Sequence, residues 1–371
     1  MTRPLIALLG RKDVPTDAVE QYCRYLGAAL QSHGFELEIH RVAWEIHGWS
    51  EALDALRLQA ASWRGQWVFV QYTALAWSWR GFPLRFFRVL KILKSAGARI
   101  AIVFHDPEPF RGPRLVERLR TRVQLRIMRR ALAAAEVAIF TLPPEKISWL
   151  GGDSSRVHFI PVGPNLPIPV PQEKGLNNFS PKSGTPTIGV FTITGGEPGA
   201  RETRVILAAV RHAAQKVGRL RLSVFGRHAE LREPTFREGL QDLPVEISAE
   251  GVLGDQQVIE RLCAADVLLF VRGAITTGRG SAIAGIACGV PMIAYVGPQT
   301  AWPISDAGVI LVTPANSAEL HDALVRVLSD PELCGNLRRR NNQVYSEHFS
   351  WPAIADRFAA ILKSTYPEIR S

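Results

Sequence analysis

Short apolar runs rich in β-branched and aromatic residues recur along this sequence, and segments with helical periodicity separate them. The first series of runs comprises residues 5–9, 35–42, 67–72, 99–105, 137–141 and 157–162, and the second comprises residues 187–193, 220–225, 245–249, 267–271, 291–295 and 309–313. Strands that alternate with helices form parallel sheets. Because 371 residues exceed one ordinary core, the two series predict an α/β protein with two Rossmann-like doubly wound domains, expected to face a cleft.

The segment between the two series predicts the domain boundary. Residues 166–186 are rich in proline, asparagine, serine and glycine and lack periodicity, so we expect a linker there. An N-terminal domain is then expected over residues 1–165 and a C-terminal domain over residues 187–349. Residues 350–371 form an amphipathic pattern with Pro352 near its start, which predicts a helix that caps the second domain or crosses back to the first.

Composition restricts the class of protein. Hydrophobic residues make up 47% of the chain and charged residues 21%, which is typical of a folded globular protein. The four cysteines form no CxxC pair, and no spaced cluster predicts a metal site. The N-terminal apolar run is too short for a signal peptide, and no run reaches the ~18 residues of a membrane span. We therefore expect a cytoplasmic protein, soluble or peripheral on the inner face of a membrane, without metal or cofactor.

Three glycine-containing loops of the second domain follow predicted strands and suit a phosphate. Glycine lets backbone N–H groups approach an anion, and a helix N-terminus carries partial positive charge. The strongest of these loops precedes a helix predicted over residues 282–288. The candidate residues are Gly195, Gly196, Arg201 and Arg204 in the first loop, Arg227 in the second, and Gly278, Arg279, Gly280 and Ser281 in the third. The alternative for the arginines of the first two loops is a solvent-facing surface.

Two loops of the first domain also follow predicted strands. His105 and Asp106 end the fourth strand, where histidine can exchange a proton and a carboxylate can orient it or bind a sugar hydroxyl. The alternative for this pair is an Asx-type turn. The first loop precedes a helix expected near residue 18, with Asp17 or Thr16 as N-cap. Its candidates for an acceptor or a phosphate are Arg11, Lys12, Asp13 and Thr16. A solvated polar loop is the alternative.

The net charge of +10 is concentrated in one segment, since residues 80–130 contain fourteen Lys or Arg against three Asp or Glu. Arg85, Arg88, Lys91 and Lys94 recur every third position beside an apolar helical face. Trp77, Trp79 and Phe82 lie just upstream, as aromatic residues at membrane interfaces often do. One interpretation is an anionic membrane surface that presents a lipid-linked acceptor. Another is a solvated face whose apolar stripe packs on the sheet, and nucleic acid is least favoured.

Five segments spread over nearly the whole chain resemble glycosyltransferase family 4. They are the loop before Val19-Glu-Gln-Tyr22, the His105-Asp106 pair, Ile160-Pro-Val-Gly-Pro-Asn165, Leu262-Cys-Ala-Ala-Asp-Val-Leu268 and Ala287-Cys-Gly-Val-Pro291. The resemblance implies the GT-B fold and metal-independent transfer of a sugar, with retention, from a nucleotide-diphosphate sugar to a glycan or lipid-linked acceptor. It also implies that His105 contacts the donor sugar or the acceptor.

The sequence departs from that family at one motif. Two glutamates separated by seven residues usually precede the Ala-Cys-Gly segment, and Thr276 and Ala284 stand at their positions here. Sugar recognition would then fall to the hydroxyls of Thr276, Thr277 and Ser281 and to Arg279. A GT-B-fold binding or scaffold protein that has lost catalysis is the alternative, whereas a nucleotide-sugar epimerase would need acidic residues that these loops lack.

Overall fold

A computed structural model of the chain describes residues 2–14, 16–151, 155–168 and 184–365. Most of the predicted linker, residues 169–183, lies outside the described residues. Contacts divide the chain into two compact units, which we call unit 1 (Met1–Val162 and Trp351–Ser371) and unit 2 (Gly163–Ser350). Each unit contains one of the two predicted series of strands.

Unit 1 is built on a parallel six-stranded sheet. Its strands are β1 (Arg3–Leu9), β2 (Phe35–Arg41), β3 (Trp67–Tyr72), β4 (Arg99–Phe104), β5 (Val137–Phe140) and β6 (Val157–Phe159). The intervening helices are α1 (Ala18–Leu30), α2 (Trp44–Ala60), α3 (Phe86–Ser95) and α4 (Leu115–Ala134). The strand order is β2-β1-β3-β4-β5-β6. Every residue of β3 is buried, which is typical of a parallel strand covered by helices on both faces.

Unit 2 repeats this architecture. Its strands are β7 (Thr187–Phe191), β8 (Leu220–Phe225), β9 (Val245–Glu250), β10 (Val267–Ala274), β11 (Met292–Tyr295) and β12 (Val309–Val312). Its helices are α5 (Gly196–Val217), α6 (Glu233–Leu240), α7 (Asp255–Ala264), α8 (Gly280–Ala287), α9 (Ser317–Ser329) and α10 (Pro331–Val344). The strand order is β12-β11-β10-β7-β8-β9. Each of the twelve predicted strands therefore has a counterpart in the structure.

The strand order of each sheet locates one crevice. In unit 1 the chain proceeds outward from β1 to β2 and then returns to β3 on the other side of β1. In unit 2 it proceeds from β7 through β8 to β9 and then returns to β10 beside β7. Ligands of open parallel sheets bind at the carboxyl ends of the strands where the order reverses. The loops that follow β1 and β3, and those that follow β7 and β10, are therefore the places to look for function.

The last helix, α11 (Trp351–Thr365), belongs to unit 1. The Trp351 ring lies edge-on to Tyr22 of α1 with centroids 5.4 Å apart and stacks on Tyr25 at 5.6 Å. Near the other end of the helix, the carbonyl of Thr365 accepts a hydrogen bond of 3.2 Å from the guanidinium of Arg99. The C-terminal helix is thus anchored to unit 1 at both ends.

Candidate functional sites

The loop after β10 leads directly into helix α8 at the crevice of unit 2. The helix begins at Gly280, with Arg279 as its N-cap, two residues before the predicted start. The backbone N–H groups of Ala282 and Ile283 both donate to the carbonyl of Arg279, at 2.9 and 3.1 Å. Gly280 and Ser281 consequently occupy the first turn, where backbone N–H groups lack intrahelical acceptors and favour an anion.

Arg272, which the sequence interpretation missed, lies at the same edge. It stands where the pairing of β10 with β11 shifts register between Phe270 and Ala274, and the next residue, Gly273, has φ +83°. Burial lowers the pKa of the Arg272 guanidinium, the positive charge of Arg279 lowers it further, and the charge of Glu202 opposes both effects. An arginine directly after the buried run of residues 267–271 was the signal available in the sequence.

Arg227, at the carboxyl end of β8, adds a third positive charge that also lowers the pKa of Arg272. We refer to Arg227, Arg272 and Arg279 as the arginine cluster. Glu202 on α5 is the carboxylate that acts on Arg272, and its Oε2 already accepts a 2.8 Å hydrogen bond from the backbone N–H of Thr194. Within the described residues, no group of three His, Cys, Asp or Glu side chains is placed to hold a metal ion.

The loop after β7 is short because α5 starts at Gly196, with Gly195 as N-cap. A Cβ on Gly199 would lie 1.7 Å from the carbonyl oxygen of Thr194, so only glycine permits this close packing of the helix under the loop. Arg201 and Arg204 are therefore helical. Both are exposed and lie 3.5 and 3.4 Å from Glu197, so the structure does not bring them to the arginine cluster.

Two residues in these loops adopt the left-handed backbone region without being glycine. Thr192, after β7, has φ +71°, and His228, after β8, has φ +64°. The His228 Nε2 lies 3.2 Å from the position that a Cβ on Gly195 would take. Strained backbone of this kind costs of order 1–3 kcal/mol per residue and clusters at functional sites. The strain thus coincides with the crevice that the strand order identifies.

The two threonines proposed for sugar recognition are mostly buried within the turn. Thr277 is fully buried and Thr276 is 8% exposed. The Thr276 hydroxyl accepts from the Gly278 N–H at 3.4 Å, and its carbonyl accepts from the Arg279 N–H at 3.1 Å. These residues shape the approach to α8.

Asn165 is a second residue that the sequence did not identify as a candidate site residue. Its side-chain amide lies 3.4 Å from the position that a Cβ on Gly280 would take.

A cavity of about 250 Å³ occupies the crevice of unit 1, between the loops after β1 and β3. Its polar lining comprises Arg11, Asp13, Asp17, Arg41, Gln71, Thr73 and Asp106. We call it the unit 1 pocket. The Asp17 carboxylate caps α1 by accepting from the Val19 and Glu20 N–H groups at 3.1 Å each, which confirms one of the two predicted caps. Arg41 donates to Asp17 and to the carbonyl of Gly10 and so fixes the pocket wall.

Of the four candidate residues in the predicted anion loop after β1, two line the unit 1 pocket and two face the solvent. Arg11 and Asp13 line the unit 1 pocket. The Arg11 Nε donates to the carbonyl of Leu75 at 2.7 Å, so the side chain bridges the loops after β1 and β3. Lys12 and Thr16 are exposed and are not among the lining residues. The structure therefore brings two of the four candidates together.

His105 contacts the pocket through Gln71. Its Nε2 lies 2.8 Å from Gln71 Oε1, and the Gln71 amide nitrogen donates to the carbonyl of Phe69 at 3.1 Å. The amide oxygen therefore faces the imidazole, which places the proton of a neutral ring on Nε2 and leaves Nδ1 as an acceptor. Burial lowers the pKa of His105 to about 4, so the ring is neutral at pH 7. Asp106 lies next to it, exposed, and lines the pocket.

Acidification should destabilise the folded protein through His105. Its folded pKa of about 4 lies below its ordinary value of 6.5, so protonation favours the unfolded chain. The contribution of neutral His105 to the free energy of unfolding is complete above pH 6.5 and is lost as the pH falls towards 4. The total loss is about 3 kcal/mol. Urea unfolding at pH 7 and pH 4.5 should show a smaller pH effect in His105→Gln than in the wild type. His47→Gln, at an exposed imidazole, is the matched control, and an equal pH effect in all three proteins would contradict this assignment.

The basic residues predicted to meet a membrane lie on the outer side of α3. Arg85 is the N-cap of the helix, and Arg88, Lys91 and Lys94 are exposed along it. The apolar side chains of the helix are buried: Phe86, Val89, Leu90, Ile92 and Leu93. The apolar stripe is thus part of the unit 1 core, so only the charged side chains of α3 are available to bind a partner. No helix in the described ranges is both long enough and apolar enough to cross a bilayer.

Comparison with known proteins finds a sequence relative and many similar structures. No family profile matches the sequence. Over 140 residues the chain is 27% identical to a GDP-mannose-dependent monoacylated alpha-(1-6)-phosphatidylinositol monomannoside mannosyltransferase of Corynebacterium glutamicum. The match covers 36% of each chain, so it spans about a third of that relative's length.

Two of the similar solved structures illustrate a match over almost the entire fold. Sucrose-phosphate synthase from Thermosynechococcus elongatus gives a TM-score of 0.68 at 19% identity, with 98% of each chain covered. Anabaena HepE, solved in complex with UDP and glucose, gives a TM-score of 0.65 at 14% identity and covers 98% of this chain and 100% of its own. At these identities the likeness concerns the fold. The prediction of two Rossmann-like domains of the GT-B type is confirmed.

Proposed function

We propose that this protein is a glycosyltransferase that moves a sugar from a nucleotide-diphosphate sugar to a glycan or lipid-linked acceptor. The observation that carries the proposal is the arginine cluster at the carboxyl ends of β8 and β10, in which Arg279 is the N-cap of α8. Two positive charges, those of Arg279 and Arg227, and one negative charge, that of Glu202, act on the Arg272 guanidinium, and the Glu202 carboxylate already accepts a backbone hydrogen bond. This excess of positive charge suits a diphosphate. The mannosyltransferase similarity supports the same class of reaction.

The chemistry follows from where charge develops. When the bond between the anomeric carbon and the phosphate oxygen breaks, the departing nucleotide diphosphate gains negative charge. Preorganised cations and N–H groups stabilise that charge without reorganising, and here Arg272, Arg279 and the first turn of α8 supply them. The proposal therefore includes metal-independent transfer, with the nucleotide sugar as donor substrate and no separate cofactor.

Retention of configuration is part of the same proposal. The acceptor hydroxyl attacks the anomeric carbon on the face from which the diphosphate departs, and its proton passes to the departing phosphate oxygen. This route needs positive charge around the diphosphate more than a carboxylate pair, which fits Thr276 and Ala284 at the positions of the usual glutamates.

The unit 1 pocket is the proposed acceptor site. Its volume of about 250 Å³ and its mixture of Asp13, Asp106, Gln71 and Arg11 suit a polyhydroxylated group. A neutral His105 would bind a hydroxyl through Nδ1 and would not carry a second positive charge. The exposed charges of α3 are proposed to hold the protein at an anionic membrane on the cytoplasmic side, where a lipid-linked acceptor would be found.

Titration with nucleotides tests the donor site. UDP, GDP, ADP and their glucose and mannose derivatives should be compared by differential scanning fluorimetry, with uridine and guanosine as controls that lack a diphosphate. At a concentration 100-fold above Kd, a specific ligand should stabilise the fold by about 2.7 kcal/mol and raise Tm by about 5–10 °C. EDTA should leave this shift intact.

The outcomes separate the competing functions. If no nucleotide diphosphate or nucleotide sugar raises Tm, the donor site proposed here is wrong. If a nucleotide sugar binds but no nucleotide diphosphate is released with glycan or lipid acceptors, the chain is a GT-B-fold binding protein. A Tm shift that requires a divalent cation would contradict metal-independent binding.

A further inference from the structure

A second cavity of unit 1, about 390 Å³ in volume, lies beside the unit 1 pocket. Its apolar lining is formed by Trp44, Trp49, Trp77, Trp79, Phe82 and Leu84, and we call it the tryptophan groove. Trp44 and Trp49 stack with their centroids 5.0 Å apart, and Trp79 meets Trp44 edge-on at 5.4 Å. Trp79 is nevertheless 62% exposed and Leu84 59% exposed. Large exposed apolar side chains that line a cavity mark a binding surface.

The polar groups of the groove decide against a sugar as its occupant. The indole N–H groups of Trp44 and Trp77 donate to the carbonyls of Ala76 and Gln71, so neither N–H is available to a ligand in the groove. The Ser78 hydroxyl already accepts from the Phe82 N–H at 3.0 Å. No carboxylate, amide or imidazole side chain is among the lining residues. A polyhydroxylated ligand would therefore find few hydrogen-bond acceptors, whereas a hydrocarbon would find a matching surface.

The edge of the groove is positively charged. Arg80 and Arg85 line it, and the Arg85 guanidinium lies 5.8 Å from the Trp49 ring centroid. The Arg11 guanidinium lies 4.8 Å from the ring of Trp79. In the described part of the chain these three guanidiniums have no ion-pair partner. The carboxylate of Glu45, next to Trp44, accepts the backbone N–H of Lys12 at 2.9 Å. The groove thus combines an apolar floor with cationic edges, which complements an anionic amphiphile.

Arg11 connects the groove to the unit 1 pocket. It lines the pocket, and its guanidinium covers a ring of the groove. The carbonyl of Ala76 accepts both the Arg11 N–H and the Trp44 indole N–H, each at 2.9 Å, so one short loop separates the two cavities. An anionic group at Arg11 could therefore have a polar substituent in the pocket and a hydrocarbon chain in the groove.

We propose that the tryptophan groove binds the hydrocarbon chain of a lipid phosphate, with the phosphate held by Arg11, Arg80 and Arg85. As the acceptor of the reaction, this lipid would place its head group in the unit 1 pocket, and that role rests on the glycosyltransferase function proposed above. Binding of the lipid to the groove does not depend on the reaction. The inference narrows the acceptor class from glycan or lipid to an anionic single-chain or prenyl-type lipid.

Decyl phosphate, used below its micelle concentration and without nucleotide, tests the groove by isothermal titration calorimetry. We expect it to bind at least tenfold more tightly than inorganic phosphate, which lacks the chain, and decyltrimethylammonium, which reverses the charge. Trp79→Ala and Arg85→Gln should each weaken binding at least tenfold. Leu58→Ala, at an exposed apolar residue of α2, and Arg57→Gln, at an exposed arginine of the same helix, are the matched controls outside the groove.

Three results would overturn the proposal: equal affinity for decyl phosphate and decyltrimethylammonium, equal affinity for decyl phosphate and inorganic phosphate, or unchanged affinity in a folded Trp79→Ala variant. Loss of decyl phosphate binding in Arg88→Gln but not in Arg85→Gln would assign the interaction to the outer surface of α3. Because no nucleotide is present, the titration is independent of the donor experiment. If the protein binds the lipid but no nucleotide, the lipid-binding role of the groove stands and the glycosyltransferase function is wrong. If it binds nucleotide but not the lipid, only the lipid-binding role of the groove is wrong.

Discussion

Replacing Arg279 with alanine should lower kcat/KM for the nucleotide sugar by about 10²–10³-fold, the loss expected when one preorganised donor to a developing anion is removed. Arg279 is the N-cap of α8, and its exposed guanidinium extends the charge of the first helical turn. Since negative charge grows on the diphosphate as the glycosidic bond breaks, this contact should strengthen towards the transition state. The reduction should therefore appear in kcat and not only in KM.

Release of nucleotide diphosphate under initial-rate conditions gives both constants for the Arg279→Ala variant. Arg237→Ala is the matched control, because Arg237 is an exposed arginine of unit 2 that pairs with Glu233 on α6. A raised KM with unchanged kcat would mean that Arg279 binds substrate and transition state equally. If kcat and KM are both unchanged, Arg279 does not contribute to the donor site.

Much of the fold could be predicted because parallel strands covered on both faces are continuous apolar runs. The fully buried β3 is an example, and its predicted and observed limits agree. The start of α1 was also predictable, since Asp17 caps it through contacts within three residues. Such signals are local, and a single segment of sequence contains all of the interactions that produce them.

The composition of the site was less predictable because it depends on contacts between distant segments. Arg227 follows β8, whereas Arg272 and Arg279 belong to the segment from β10 to α8, and nothing in the sequence of either segment shows that their charges interact. β10 also extends to Ala274, three residues past its apolar run, which places Arg272 within the strand.

The same reason explains why the structure gives other residues surroundings that the sequence did not predict. Arg201 and Arg204 looked like loop residues, but α5 begins at Gly196 and contains both, and their exposed side chains lie within 3.5 Å of Glu197. The aromatic residues before α3 suggested a membrane interface, whereas Trp44 and Trp49 of α2 join them in a groove. Periodicity shows which face of a helix is apolar, but not which distant side chains complete a cavity.

Arg272 offers the strongest test of the donor site, because affinity and stability should change in opposite directions. Arg272→Gln should weaken nucleotide diphosphate binding by about 10–100-fold, the value of a charge-assisted hydrogen bond. Arg272→Glu places a carboxylate against the diphosphate and should weaken binding about 10³-fold or more, since like charges in contact cost several kcal/mol. Calorimetry with whichever of UDP and GDP stabilises the wild type measures both.

In the absence of nucleotide, Arg272→Gln should be at least as stable as the wild type. Burial and the neighbouring Arg279 lower the pKa of the Arg272 guanidinium, which means that its charge is unfavourable in the unliganded fold. Arg338→Gln is the contrasting control, because the buried Arg338 side chain donates to the carbonyl of Ala265. This variant should be less stable than the wild type and should bind nucleotide with unchanged affinity. A residue kept for structure would behave like Arg338. If Arg272→Gln is destabilised and binds nucleotide normally, the cation belongs to the fold, and the arginine cluster does not bind a diphosphate.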